Sequence, residues 1–181
     1  MNILQSKLIR QIQNGNRSAL DELIELHYNE IYHFLCRKLP TFTDAQDVTQ
    51  TVFIKLISNI YYYNEKGKFK NYLFRLAINA ANDFYRRYSV NEDIDELLEL
   101  LSQADSPEEM LENEELNRIV KNALYTLPDY QRDVIILRFY HDFSFKDIAK
   151  ITGANVSTAK SRYKQGISKL KDLLKEVISH E

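Results

Sequence analysis

Residues that interrupt helices are scarce in this chain, and their scarcity limits its possible folds more than any other feature. Only 4 glycines and 3 prolines occur among 181 residues, while Leu, Ile, Lys and Glu are abundant. Glycine and proline break helices and mark the turns of strand-rich proteins. Apolar residues recur at helical spacing, as at Val48, Val52 and Leu56. The sequence therefore predicts an all-α protein.

An acidic segment divides the chain into two basic parts. Residues 92–115 contain eleven Asp and Glu and no Lys or Arg, although the whole chain has a net charge of -2. Phosphate affinity depends on local rather than total charge, so the flanking parts remain candidates for nucleic-acid binding. We expect two small helical domains, residues 1–90 and 116–181, joined by an acidic linker at 91–115. That linker is interpreted either as a flexible connector with a short amphipathic piece at 94–101, or as a nucleic-acid mimic inside a partner's channel.

Several protein classes lack support in the sequence. No apolar run approaches the about 20 residues that span a bilayer, and the first residues show no signal-peptide block. Cys36 is the only cysteine, which excludes an internal disulfide and fits a reducing compartment. No glycine-rich phosphate loop or nucleophile motif occurs, and His33 with Cys36 makes a poor zinc site. We expect a cytoplasmic protein that is not inserted into a membrane, is not an enzyme, and uses no cofactor or metal.

Residues 127–174 have the pattern of a helix followed by a helix-turn-helix. Ser144 with Asp147 indicates a helix start, Gly153 suits a left-handed helix end, and Asn155 can cap the next helix. Hydroxyl and basic side chains on that last helix suit phosphates and base edges in a DNA major groove. These side chains are Ser157, Thr158, Lys160, Ser161, Arg162 and Lys164. An ordinary helical hairpin with a solvated basic face is the alternative.

The first 90 residues indicate a bundle of four helices. One helix covers about 4–13, and Ser18 with Asp21 opens the second. Thr43 with Gln46 indicates a capping box for the third.

A fourth helix is expected over about 69–88, where basic residues alternate with aromatic ones. This mixture suits single-stranded nucleic acid, because bases stack on rings while cations neutralise phosphates. The alternative is that the rings form the core, which we expect for Phe74 and Phe84.

Three blocks of the sequence together resemble a known family. They are DAQDVTQTVFIKL, FKNYLFRLAINAANDFYRR and LPDYQRDVIILRFYHDFSFKDIAKITGANVSTAKSRYKQGISKLK, in that order. They resemble the extracytoplasmic-function (ECF) group of bacterial sigma-70-type sigma factors, over nearly the whole chain. The resemblance implies two helical domains, called regions 2 and 4. It also implies a promoter-recognition subunit of RNA polymerase that initiates transcription in response to a stress or surface signal.

The resemblance implies three binding surfaces. The clamp helices of the largest polymerase subunit would be contacted by Asp44, Asp47, Gln50 and Phe53. The -10 element would be melted and held as a single strand by Lys70, Asn71, Tyr72, Arg75, Asn79, Asn82, Arg86 and Arg87. The duplex -35 element would be read by the six residues already named, from Ser157 to Lys164.

The resemblance also implies further partners. The helix near 133–140 would contact the flap of the other large polymerase subunit, and the acidic linker would run towards the RNA-exit channel. An anti-sigma factor is expected as an inhibitory partner. A conventional helix-turn-helix regulator that binds DNA without polymerase is the alternative function.

Overall fold

The computed structural model describes residues 3–64, 66–88 and 114–179, and all regular elements in these ranges are helical. The all-α prediction is confirmed. The elements are α1 (Ile3–Gln13), α2 (Ser18–Lys38), α3 (Phe42–Asn59), a 3₁₀ turn (Ile60–Tyr62), α4 (Phe69–Tyr88), α5 (Glu114–Tyr125), α6 (Asp129–Phe139), α7 (Phe145–Thr152) and α8 (Val156–Ser179). The amphipathic piece expected at 94–101 lies outside the described residues. None of the described helices is long and apolar enough to cross a membrane.

Helix α3 begins earlier than the sequence pattern indicated. The side chain of Thr41 accepts from the Asp44 backbone N–H at 3.1 Å, and the Asp44 carboxylate accepts from the Thr41 N–H at 3.3 Å. The predicted capping box of Thr43 and Gln46 is therefore wrong. Thr41 follows Pro40 in extended conformation and has the same spacing to an acidic residue, so it satisfies the free N–H groups two residues sooner.

The expected start of α2 at Ser18 is confirmed. Ser18 is the first helical residue, and its N–H and hydroxyl both donate to Asn16 Oδ1, at 3.1 and 2.8 Å. The short polar turn before the helix therefore supplies the acceptor, as an Asx residue commonly does.

The helix-turn-helix pattern is confirmed in its local details. Ser144 Oγ accepts from the Asp147 N–H at 3.1 Å, and Asn155 Oδ1 accepts from the Thr158 N–H at 2.7 Å. Gly153 ends α7 with φ of 71°, a left-handed conformation that glycine adopts without steric cost.

One hydrophobic core continues from the first four helices into α6 and α7. The ring of Phe74 lies edge-on to Phe34 at 5.2 Å and to Phe143 at 4.9 Å, so residues of both halves of the chain share one aromatic cluster. Phe74 is fully buried and Phe84 packs against the cluster, as expected. A smaller core beneath α5, α6 and α8 includes Leu124 and Leu170.

Candidate nucleic-acid and partner interfaces

Helix α8 presents a continuous exposed stripe to solvent. Residues three and four apart share one helix face, and the exposed members of that face are Ser157, Lys160, Ser161, Lys164 and Gln165. Four of them belong to the predicted set, and Gln165 was missed because its type gave no charge signal. The opposite face is anchored by Ala159, which is completely buried.

Two residues of the predicted set lie partly off this stripe. Thr158 is half-buried, and its N–H is engaged by the cap of Asn155. Arg162 is half-buried, with its guanidinium carbon 5.1 Å above the centre of the Tyr130 ring on α6. This cation–π contact holds the Arg162 side chain against α6.

The predicted -10 residues on α4 fall into an exposed group and a covered group. The exposed group, towards the end of the helix, is Asn79, Asn82, Arg86 and Arg87. Lys70, Asn71 and Tyr72 at its start are half-buried, whereas Arg75 is exposed but its guanidinium contacts α7.

Helix α7 covers the start of α4 through polar contacts. Asn71 Nδ2 and Lys68 Nζ both donate to Asp147 Oδ1, at 2.8 and 2.9 Å, and the Arg75 guanidinium donates to the Lys150 carbonyl. Lys68 and Asp147 are functional candidates that the sequence did not single out.

Asp147 is held in its charged form by these contacts. Partial burial raises the pKa of its carboxyl, but hydrogen bonds from Ser144, Lys68 and Asn71 outweigh burial and lower the pKa to about 2. The carboxylate therefore accepts hydrogen bonds from an amide and an ammonium group, which are donors that could also bind a DNA phosphate.

The exposed face of α3 carries two of the four predicted polymerase contacts. Asp47 and Gln50 are exposed, and Ile54 is 63% exposed at the next position of the same face. Asp44 is half-buried and engaged in the helix cap. Phe53 is 5% exposed and stacks on Tyr28 with ring centres 5.6 Å apart, so it supports α3 from inside.

Comparison with known proteins identifies the family. The Sigma-70 region 2 model matches residues 23–90, and the Sigma-70 region 4 model matches residues 117–170. The chain is a member of the sigma-70 family, in its ECF group. It is 28% identical to the ECF RNA polymerase sigma factor SigW of Bacillus subtilis (strain 168), over 98% of this chain and 100% of the relative. It is 31% identical to the ECF RNA polymerase sigma-E factor of Haemophilus influenzae, over 86% of this chain and 87% of the relative.

Solved structures share the fold of this sigma factor. CnrH, solved in complex with the cytosolic domain of CnrY, is similar with a TM-score of 0.72 and 22% identity, covering 96% of this chain and 98% of that chain. The sigma factor RpoE, solved with the anti-sigma factor NepR from Bartonella quintana, is similar with a TM-score of 0.67 and 24% identity, covering 86% and 96%. The predicted resemblance is confirmed, and a regulator that acts without polymerase has no support among these relatives.

In this sigma factor, a buried ion pair joins region 2 to region 4. Lys38 Nζ at the end of α2 lies 2.6 Å from Asp133 Oδ1 on α6, and the two side chains are 0% and 8% exposed. The Tyr85 hydroxyl of α4 donates to the Lys38 carbonyl beside it, and burial raises the Tyr85 pKa to about 12. Because an unpaired buried charge is very costly, each partner depends on the other while the regions are packed together.

This packing also covers part of the expected flap-binding helix. Residues 133–137 are buried, whereas Arg138, Phe139 and Tyr140 are exposed, Phe139 by 67%. The Arg37 guanidinium of α2 lies 4.1 Å from the centre of the Tyr140 ring. Only the end of the segment expected to meet the polymerase flap is therefore accessible.

A charged cluster surrounds His141 between the two regions. His141 Nδ1 lies 3.6 Å from Glu30 Oε1, and Lys70 forms an ion pair with the same carboxylate. Burial raises the Glu30 pKa, but the nearby His141, His27 and Lys70 outweigh it and hold the pKa well below its usual value. Burial lowers the His141 pKa, and the contact with Glu30 opposes that shift. In the described ranges, no three His, Cys, Asp or Glu residues are grouped to hold a metal ion.

Proposed function

We propose that this chain binds core RNA polymerase, directs it to promoters, and initiates transcription by reading the -35 and -10 elements. The observation that carries the proposal is the uninterrupted polar and basic stripe of α8 within a sigma-70 region 4 match. Region 2 would cover residues 1–90, the linker 91–115 and region 4 residues 116–181. The protein would act in the cytoplasm, without catalytic activity or a cofactor of its own.

For the -35 element, α8 would enter the major groove of duplex DNA. Lys160 and Lys164 would meet phosphates, while Ser157 and Ser161 allow close approach to base edges. Each well-formed bidentate contact to a base discriminates by about 1–3 kcal/mol. Thr158 only donates its backbone N–H to the Asn155 cap, and Arg162 would mainly support the helix through Tyr130.

For the -10 element, α4 would hold an unstacked strand. Asn79, Asn82, Arg86 and Arg87 are exposed for this role, whereas α7 would first have to release the side chains of Asn71 and Arg75. Opening would exchange the Asp147 carboxylate for DNA phosphates as the partner of Lys68 and Asn71. Region 2 would then offset the few kcal/mol that extrusion of a base costs.

For core polymerase, the exposed face of α3 would meet the clamp helices. Asp47 and Gln50 would supply polar contacts, and Ile54 would supply an apolar one, since an exposed apolar side chain beside polar ones suits a protein interface. Phe139 and Tyr140 would meet the flap. An anti-sigma factor is proposed as a further partner, as for the RpoE relative solved with NepR.

Co-purification with core polymerase followed by run-off transcription tests this function. The wild-type chain should bind core polymerase and give a defined transcript from a cognate promoter. An Asp47→Ala/Gln50→Ala variant should lose core binding and retain region 4 affinity for duplex DNA, whereas Glu25→Ala, an exposed acidic residue on α2, should change neither. Dimeric binding to a DNA palindrome without polymerase would contradict the proposal.

The -35 assignment has its own test. Arg162→Ala should lower -35-dependent transcription because it removes the Tyr130 contact that supports α8, and it should not weaken core binding because it lies away from α3. An equal loss of polymerase affinity in a pull-down would contradict this assignment.

A further inference from the structure

Gln165 occupies a position on the exposed stripe of α8 from which a base edge is reachable. It is exposed, and it lies one turn after Ser161 and next to Lys164. A glutamine amide is suited to base readout because it carries a donor and an acceptor in one plane.

A buried side chain on another helix holds this amide. Gln131 of α6 is 2% exposed, and its Nε2 donates to Gln165 Oε1 at 3.3 Å. Gln165 Nε2 in turn donates to Ser161 Oγ at 3.5 Å. The buried Gln131 Oε1 has no hydrogen-bond partner among the described residues. A buried amide with one unsatisfied oxygen costs stability compared with an apolar side chain of the same shape, which indicates a role other than packing.

Close packing of α6 against α8 makes this contact possible. A Cβ at Gly166 would lie 2.6 Å from Ile135 Cδ1 and 3.4 Å from Gln131 Cβ, so a larger residue there would displace the Ile135 side chain. With glycine at this position, the two helices approach closely enough for a buried glutamine to reach an exposed one.

We propose that Gln165 reads a base in the -35 duplex and that Gln131 is a positioning residue that fixes the orientation of its amide. Gln131 turns the Gln165 carbonyl inward, so the amide N–H groups remain directed at Ser161 and the exposed face. The amide therefore selects a base edge that accepts a hydrogen bond, such as purine N7. This inference rests on the proposed reading of the -35 element by region 4.

Run-off transcription with core polymerase from templates randomised at each -35 position tests the inference. Gln165→Ala should reduce the preference for a purine at one position by about fivefold or more, and leave preferences elsewhere unchanged. Gln131→Leu, which keeps the buried volume, should reduce preference at that same position by a smaller factor. The double variant should equal Gln165→Ala alone, because Gln131 acts through Gln165.

Lys164→Ala is the matched control, since loss of a phosphate contact lowers transcription from all templates without changing base preference. A thermal melt of Gln131→Leu shows whether the fold is retained, and an unchanged or higher Tm is expected. A uniform loss for Gln165→Ala, or unaltered preference in Gln131→Leu, would overturn the inference. Absence of any -35 preference in the wild-type chain would instead overturn the proposed function.

Discussion

The two candidate promoter surfaces differ in how accessible they are. The stripe on α8 is exposed along its length, whereas the start of the α4 surface is partly covered by α7 and by the loop that carries His141. The covering groups from α7 are one carboxylate, of Asp147, and one backbone carbonyl, of Lys150, and both are hydrogen-bond acceptors like the groups of a nucleic-acid strand. In this arrangement the proposed -35 surface is accessible, whereas the start of the proposed -10 surface is partly covered.

The difference follows from where the two regions touch. Contacts of the α8 stripe are made within α8 and with α6, so region 4 preserves them when it moves. The contacts of α4 with α7 are made across the two regions, so they are lost when the regions separate. Access to α4 is therefore linked to the relative position of the regions, and access to α8 is not.

The largest effect is expected when one partner of the buried interregion charge pair is removed. Asp133→Ala leaves Lys38 buried without a partner, which should disfavour the packed arrangement by about 3–5 kcal/mol. The distance between labels at exposed Glu25 and Lys169 should increase in fluorescence energy transfer measurements.

The matched control replaces both charges by apolar residues. Lys38→Met/Asp133→Leu should restore the short label distance, because an apolar pair fills the site without an unpaired charge. If the single variant keeps the wild-type distance, the pair does not hold the regions together.

A smaller effect is expected from the contact between Asp147 of α7 and the start of α4. Asp147→Asn removes the charge that holds Lys68 and Asn71, so the free protein should bind a single-stranded -10 oligonucleotide about fivefold more tightly. Fluorescence anisotropy measures the change. Asp172→Asn, on the exposed part of α8, is the control for net charge, and an equal gain there would rule out a local cause.

The exposed stripe should respond differently from the covered surface. Lys160→Ala should weaken -35 duplex binding severalfold. The slope of log affinity against log salt concentration should become shallower by about 1, because one phosphate contact is lost. Because α8 is exposed in the packed arrangement, the loss should be the same with and without Asp133→Ala. Unequal losses would show that region packing also affects α8.

The smallest expected effect is on pH dependence. Burial lowers the His141 pKa, and the groups that face it are Glu30 and Arg37 of α2 and Lys70 of α4. The lowered pKa makes protonation of His141 less favourable in the packed state than in the open one. The packed state is therefore most stable above the usual pKa of 6.5, and it loses stability as the pH falls below that value. The label distance should therefore increase modestly from pH 7.5 to 5.5. His141→Gln should abolish the change, and persistence of the change in that variant would assign it to other groups.

Local features of the sequence determined the helices and the family. Caps at Ser144 and Asn155 and the helix end at Gly153 involve residues at most four apart, so spacing and residue type predict them. Where two residues can each cap the same helix, as Thr41 and Thr43 can for α3, the sequence pattern predicted the wrong one. The three blocks that match the sigma-70 family are likewise contiguous in sequence.

The tertiary structure alone decided which predicted residues are accessible. Lys38 and Asp133 are 95 residues apart, and Asn71 and Asp147 are 76 apart, so no periodicity relates them. The same holds for the contact that joins Gln131 to Gln165, which needs α6 against α8. Helical order depends on neighbours within a turn, whereas the pairing of buried charges and amides depends on how whole helices pack, and only the folded chain specifies that.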